Sequence, residues 1–485
     1  MSKSVIEGLK PPAVWEQFYQ LSRIPRESGN EEGVRNYIIG WARERGLETW
    51  TDKVGNVVIK KPATPGCESL PVAILQGHMD MVCEKNRGTD HDFSRDPIKL
   101  VNQGEWMAAD GTTLGADNGI ALAMALALVA DDSMAHGPLE LLFTVDEETG
   151  LNGAMGFEPS RLEGRILINL DSEEEDTLYI GCAGGINTEG TLPVQWEPSP
   201  RDWTAYTLSI TGLNGGHSGG DIHKNLGNAL LMGAALITDL RLLGAKLTGF
   251  SGGGKHNAIP RECFAELLIP PGQEAEAEKL MAAGAAGFRG EWNDIEPGLK
   301  IEFASSDMVP DEALTDESFQ KVGDLLFSMP HGVIGMSRKI ENLVETSTNM
   351  AQADLNRERL HILTSQRSSS NFLRDNAGAK VLACIRAAGG KAWHNSLYPG
   401  WNPNPSSPLL GIARKAFQSV MGHEPRIKAI HAGLECGVIG SKIPGIDMIS
   451  FGPDLEMVHT PQERMRISSV EKIWNLLREI LSNLK

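Results

Sequence analysis

Paired cysteines are missing from this chain. Its six cysteines, at positions 67, 83, 182, 263, 384 and 436, are scattered over 485 residues without a CxxC pair. That spacing argues against a disulfide frame and reads as reduced thiols in a cytoplasmic protein. Excess basic charge is missing too. With 45 Lys and Arg against 63 Asp and Glu, the net charge is −18, and no basic stripe interrupts it. Broad binding to nucleic acid or to an anionic membrane is therefore excluded, and a protein that holds cations fits better. Nor is there a long hydrophobic run. The greasiest stretch, Gly119 to Ala130, spans only about 18 Å as a helix, too short for a bilayer, and reads as a core helix. The first ten residues carry no apolar signal core, so export is not expected. No segment is low in complexity, and the length favours two domains over one.

What the chain does have is a set of apolar runs that end in ligand chemistry. Val72-Ala-Ile-Leu-Gln-Gly-His-Met-Asp80 reads as a buried strand of a parallel sheet that delivers His78 and Asp80 at its C-terminal end. Two residues apart in extended geometry, they share a face. An imidazole there is a metal-ligand candidate, and the carboxylate beside it fixes the ring's tautomer. Leu139 to Val145 repeats the arrangement and ends in Asp146-Glu147-Glu148-Thr149-Gly150. Ile166 to Leu170 ends in Asp171, and Asp447 to Phe451 is followed by a loop carrying His459-Thr-Pro-Gln-Glu463. In open α/β sheets this edge is where ligands bind.

The remaining segments arrange themselves around these strands. Residues 12–26 predict an amphipathic helix, and Asn30 a cap for a second helix through Val34, Ile38 and Trp41. Leu47 to Lys60 predicts two strands about a turn at Gly55-Asn56. The glycine-rich Asp110–Gly119 loop lacks phosphate-cradle spacing and reads instead as a device that sets Asp117 at a helix start. Between the third and fourth strands lies an insert, entered near Gly181–Gly185 and left through Asn395–Pro408. Strands near 204–211, 262–269, 298–303 and 359–366, with helices near 225–243, 274–287, 315–327 and 370–387, predict an α+β layer domain of two strand-helix-strand units.

Collected, the candidates are His78, Asp117, Glu148, Asp171 and His459, with Asp80 and Glu147 behind them. Two imidazoles and three carboxylates suit a two-metal site rather than a structural zinc. If Asp117 bridges, each ion receives one His, one carboxylate and the shared Asp. Two divalent cations against three carboxylates and one hydroxide sum to zero, so the site tolerates partial burial. Oxygen and nitrogen donors without thiolate suit Zn2+, with Co2+ or Mn2+ as alternatives. Glu147 and Glu148 are adjacent and point in different directions. One can bind metal while the other faces water as a general base.

His78-Met-Asp80, Gly115-Ala-Asp117-Asn-Gly119, Asp146-Glu147-Glu148-Thr-Gly150, Asp171 and His459-Thr-Pro together resemble the M20 di-zinc metallopeptidases. The insert adds Gly216-His217-Ser218-Gly219 and Asn257-Ala-Ile-Pro260, similar to that family's lid motifs. The resemblance implies an α/β fold. A catalytic domain with a mixed, mainly parallel sheet flanked by helices (1–185 and 398–485) would carry an inserted α+β lid domain (186–397). It implies two divalent ions per chain, one on His78, Asp117 and Asp171, the other on Asp117, Glu148 and His459. Asp80 would orient His78, Glu147 would be the base, and a cis peptide would follow Asp117. His217 would donate to the developing oxyanion, assisted by Asn257. In the family this histidine often comes from a neighbouring subunit, which leaves a homodimer open. The implied activity is hydrolysis of unblocked dipeptides, including Xaa-His such as carnosine (β-Ala-His).

One segment departs from the family pattern. Where many relatives have Gly-Thr-Asp, this chain has His431-Ala-Gly-Leu-Glu-Cys-Gly437, either a pocket wall or a tight strand-to-helix turn. Within it, Glu435 is a candidate partner for a substrate's free α-amine. Two other functions compete: an amidohydrolase removing N-acyl groups, and a catalytically silent binding module.

Overall fold

A computed structural model describes residues 3–484. The chain forms two compact units. One comprises the residues up to 182 with 401–429 and those from 434 onward; the other comprises 183–400 with 430–433.

In the first unit, apolar runs rich in branched side chains form the middle of an eight-stranded sheet. Its strands are β1 (Glu48–Thr51), β2 (Val57–Lys61), β3 (Ala73–His78), β4 (Leu139–Thr144), β5 (Ile166–Asn169), β6 (Thr177–Cys182), β7 (Arg426–Ile430) and β8 (Asp447–Ser450). The order is β1-β2-β4-β3-β5-β8-β6-β7. The four strands expected to deliver ligands, β4, β3, β5 and β8, lie side by side and parallel. The antiparallel β1–β2 hairpin extends one edge, with β2 on β4. β3 and β4 are buried along their whole length, as expected for strands covered on both faces.

Helices cover the sheet. α1 (Pro12–Leu21) packs on α3 (Ala116–Val129), and α3 packs on β3. α3 buries nearly every residue, so its apolar character runs all round rather than along a stripe. α2 (Glu32–Arg43) begins one residue later than the sequence suggests. Glu31, not Asn30, holds the N-cap position, and no side chain caps there. Among the described residues no helix is long and apolar enough to cross a membrane, and all six cysteines are free thiols.

The second unit is built on a nine-stranded sheet, antiparallel at every pairing, with two short two-stranded ribbons beside it. The expected strands appear at Thr204–Thr211, Cys263–Ile269, Lys300–Ser306 and Arg359–Ser368. Further strands at Gly184–Pro193, Lys246–Gly253, Gly332–Met336, Val344–Leu355 and Lys391–Tyr398 join them. Helices Ala229–Leu242, Glu274–Trp292, Asp316–Ser328 and Asn371–Ala387 bury Leu236, Met281, Phe319 and Ile385 in one core with Phe250 and Ile362 of the sheet. Asn228, Thr315 and Ser370 cap three of them through their side chains.

Candidate metal centre

The ligand edge of the parallel sheet is built from strand ends. His78 is the last residue of β3, Asp171 lies two residues past β5, and Glu147 and Glu148 lie three and four past β4. His78 Nε2 stands 3.1 Å from Asp117 Oδ1 and 3.4 Å from Asp171 Oδ1. His459 Nε2 stands 3.1 Å from Asp117 Oδ2 and 3.0 Å from Glu148 Oε2. Two triads result, His78–Asp117–Asp171 and Asp117–Glu148–His459, each with its donor atoms within 4.8 Å of one another. Asp117 belongs to both and offers a different oxygen to each. Glu147 groups with His78 and Glu148 in a third cluster.

Backbone geometry sets Asp117 in place. Gly115, at φ 69°, turns the chain just before it, in the left-handed region that costs glycine nothing. Asp117 and Asn118 leave helical geometry although they sit in the first turn of α3, and the peptide between them is cis. The Asn118 side chain crosses two strand ends, accepting from His78 N at 3.2 Å and donating to Leu170 O at 3.0 Å. On the other side, Glu463 accepts from the backbone N–H groups of residues 114 to 117. Arg26 donates to the carbonyls of Met79, Asp80 and Gly115. In the sequence Asn118 and Glu463 stand inside the motifs, and nothing marks Arg26. A polar residue whose partners are main-chain atoms leaves no spacing signal.

Asp80 is fully buried, with Oδ1 3.3 Å from His78 Nδ1, which leaves Nε2 to face the carboxylates. It also accepts from Ser28 Oγ at 2.7 Å and from the backbone N–H groups of Glu147 and Glu148 at 3.1 and 3.2 Å. One carboxylate thus orients the imidazole and holds the loop after β4. A neighbouring acidic cluster, Glu31–Asp80–Asp146, is a brace of the same kind. Glu31 accepts from Gly29 N and Asp146 N, and Asp146 accepts from Thr149 and Asn152.

Charge shows what the site is short of. Burial first, then the Asp171, Glu148 and Glu435 carboxylates, push the Glu147 carboxyl well above the usual range. Burial likewise raises Glu148 and Asp171, with Asp117 adding to each. The imidazoles answer in the opposite sense. Hydrogen bonds to Asp117 and Glu148 push His459 up to about 11, and carboxylates overcome the burial that would lower His78. Too many buried carboxylates face too few cations, and Glu148 Oε1 has no hydrogen-bond partner. Hard oxygen donors, two ring nitrogens and this excess of negative charge fit a pair of divalent cations.

Glu435, which the sequence offers to a substrate amine, begins the helix Glu435–Lys442 and is fully buried. Its Oε2 accepts from Gln76 Nε2 at 2.5 Å and Thr144 Oγ1 at 2.7 Å, while its Oε1 has no hydrogen-bond partner. The segment from His431 is a strand-to-helix turn between β7 and that helix.

In the second unit, Gly216 and His217 pair with Ile259 and Ala258, and Ser218 N donates to Asn257 O at 2.8 Å. The two motifs of the insert are therefore one structure. His217 Nδ1 accepts from Gly220 N at 3.0 Å, which leaves Nε2 as the donor of a neutral ring. Desolvation and the nearby Arg367 guanidinium lower its pKa and keep it neutral. A Cβ on Gly219 would lie 2.5 Å from His431 O, so the turn requires glycine.

Comparison with known proteins agrees with this geometry. The model for peptidase family M20/M25/M40 matches residues 74–483. The cytosol non-specific dipeptidase of Escherichia coli (strain K12) is 39% identical over 489 residues, 99% of each chain. The crystal structure of aminoacylhistidine dipeptidase from Vibrio alginolyticus superposes with a TM-score of 0.93 at 37% identity, covering 100% of this chain and 99% of that one. Aminopeptidase PepT from Bacillus cereus ATCC 10987, at 17% identity and a TM-score of 0.57 over 98% and 99% of the two chains, shares the fold. A hydrolase by these relationships and by the carboxylate and imidazole groups at its sheet edge, the chain belongs to peptidase family M20/M25/M40.

Proposed function

We propose that the chain is a two-metal dipeptidase of the cytoplasm acting on unblocked dipeptides, Xaa-His such as carnosine among them. The observation that carries this reading is the pair of triads that share Asp117, with Glu147 beside them. The substrate class is supported by the relatives' names, a non-specific dipeptidase and an aminoacylhistidine dipeptidase. His78, Asp117 and Asp171 would hold one ion, and Asp117, Glu148 and His459 the other, with Zn2+ the first choice. When bound, such ions lower the pKa of water and polarise a carbonyl.

The rest of the chemistry belongs to side chains. Glu147 takes a proton from the attacking water and returns it to the leaving amine, as a general base and then a general acid. Its place beside both triads, in one cluster with His78 and Glu148, suits both halves of that transfer. Asp80 fixes the His78 tautomer so that Nε2 faces the site. His217 Nε2–H donates to the oxygen that gains negative charge as the carbonyl is attacked, with Asn257 assisting. The second unit would act as the lid that brings His217 in and excludes water.

The test is the metal-loaded protein offered β-Ala-His, Gly-His, Gly-Gly-Gly and N-acetyl amino acids. Hydrolysis of the two dipeptides, with the tripeptide and acylated compounds spared, is expected. Preferential hydrolysis of N-acetyl amino acids would replace the dipeptidase reading with that of an amidohydrolase.

A further inference from the structure

His459 is the most exposed of the candidate ligands, its side chain 49% accessible where that of His78 is 1%. It sits on a short loop between strands Leu455–Glu456 and Arg464–Arg466, and both Met457 and His459 adopt left-handed backbone, with φ 55° and 62°. Little apolar packing holds such a loop, yet its ring nitrogen must meet Asp117 and Glu148 at about hydrogen-bond distance. His78 and Asp171 have no such difficulty, because they extend from buried strands.

The loop's anchor is Glu463, four residues on and 2% exposed. Its Oε2 accepts from Leu114 N at 2.7 Å and Gly115 N at 3.0 Å; its Oε1 accepts from Ala116 N at 2.8 Å and Asp117 N at 3.3 Å. Four successive amides converge on one carboxylate at the start of α3, where unpaired N–H groups and the helix dipole favour an anion. Arg26, also buried, approaches from the other side and donates to Gly115 O, Met79 O and Asp80 O. A Cβ at Gly115 or Gly119 would lie 2.5 or 2.6 Å from Arg26 Nη2, so both glycines make room for the guanidinium.

We infer that Glu463 is a positioning residue that locks the His459 loop to the Asp117 turn and thereby assembles the Asp117–Glu148–His459 site. The inference rests on the two-metal reading above. Without Glu463, Asp117 keeps a second hold through Asn118, which is bonded to His78 N and Leu170 O. The His78–Asp117–Asp171 site therefore survives, and the loss falls on the His459 side.

The experiment is a Co2+ titration of the chelated, metal-free protein, wild type and Glu463→Gln, followed by calorimetry and cobalt absorbance. Wild type is expected to bind two ions. Glu463→Gln should bind the first within about threefold of the wild-type affinity and the second at least tenfold more weakly. The metal-free melting temperature should stay within about 5 °C of wild type, so that the lost affinity is not a lost fold. A methylene-shortened carboxylate, Glu463→Asp, is read by the same rule should the glutamine variant fail to fold. Equal weakening of both sites, or two wild-type affinities in the variant, overturns the inference and leaves the two-metal reading intact. Fewer than two ions bound by the wild type overturns the two-metal reading itself, and this inference with it.

Discussion

Glu147 and Glu148 are neighbours in sequence with different neighbours in space. Glu148 Oε2 meets the His459 ring at 3.0 Å, while Glu147 stands among carboxylates that raise its proton affinity. If Glu147 is the base rather than a ligand, Glu147→Ala keeps both metals and loses at least about two orders of magnitude in kcat. Asp117→Ala, by contrast, removes a donor from both triads and should empty the site. Metal analysis of the two variants decides the matter, and equal metal loss in both would make Glu147 a ligand. His217 allows a similar test. With Nδ1 spent on the Gly220 amide, only Nε2–H remains to meet a substrate oxygen. His217→Ala should keep the fold and lower kcat by roughly 10²–10³, the cost of one oxyanion donor. A rise in KM at near-normal kcat would show uniform substrate binding instead.

At the scale of elements, the parallel strands were legible because branched apolar runs stop at His or carboxylate residues. Apolar periodicity also marked four strands and four helices of the second unit. Val344–Leu355 escaped because its first half is polar on both faces. Thr346, Ser347, Thr348 and Asn349 are all buried and bonded to Ser368, His431, Gln366 and the carbonyls of His256 and Ala258, with Asn349 Oδ1 left unpaired. Lys246–Gly253 escaped because its glycines read as loop. At the candidate site the ligand set could be read from the sequence. The braces made by Arg26, Asn118 and Glu463 could not, since their partners are distant main-chain atoms.

One contact of that polar strand has a measurable cost. His431 Nε2 lies 2.7 Å from Ser347 Oγ, and burial, followed by the Arg367 charge, lowers its pKa to about 3. His217 and His223 add to that lowering, and the Val344 backbone works against it. The unfolded chain takes up this proton near the ordinary histidine value of about 6.5, the folded one only near 3. Its contribution is therefore intact above pH 6.5 and lost as pH falls toward 3, roughly 2 kcal/mol by pH 5. His431→Gln should flatten the acid limb of a stability–pH curve measured by denaturant unfolding. An unchanged slope between pH 6.5 and 5 would show that His431 is not the group responsible.

For the whole molecule, the two units divide the work. The first gathers every candidate metal ligand at one sheet edge, and the second carries His217 on a glycine-rich turn fixed against Asn257 and Ala258. The central claim, that the sheet edge works as a two-cation hydrolytic centre, has one direct test. Chelated protein is reloaded with Zn2+ while bound metal and Gly-His hydrolysis are measured on the same samples. The metal-free protein should be inactive, and activity should return and level off at two ions per chain. Full activity after exhaustive metal removal, or a plateau at one ion, would contradict it.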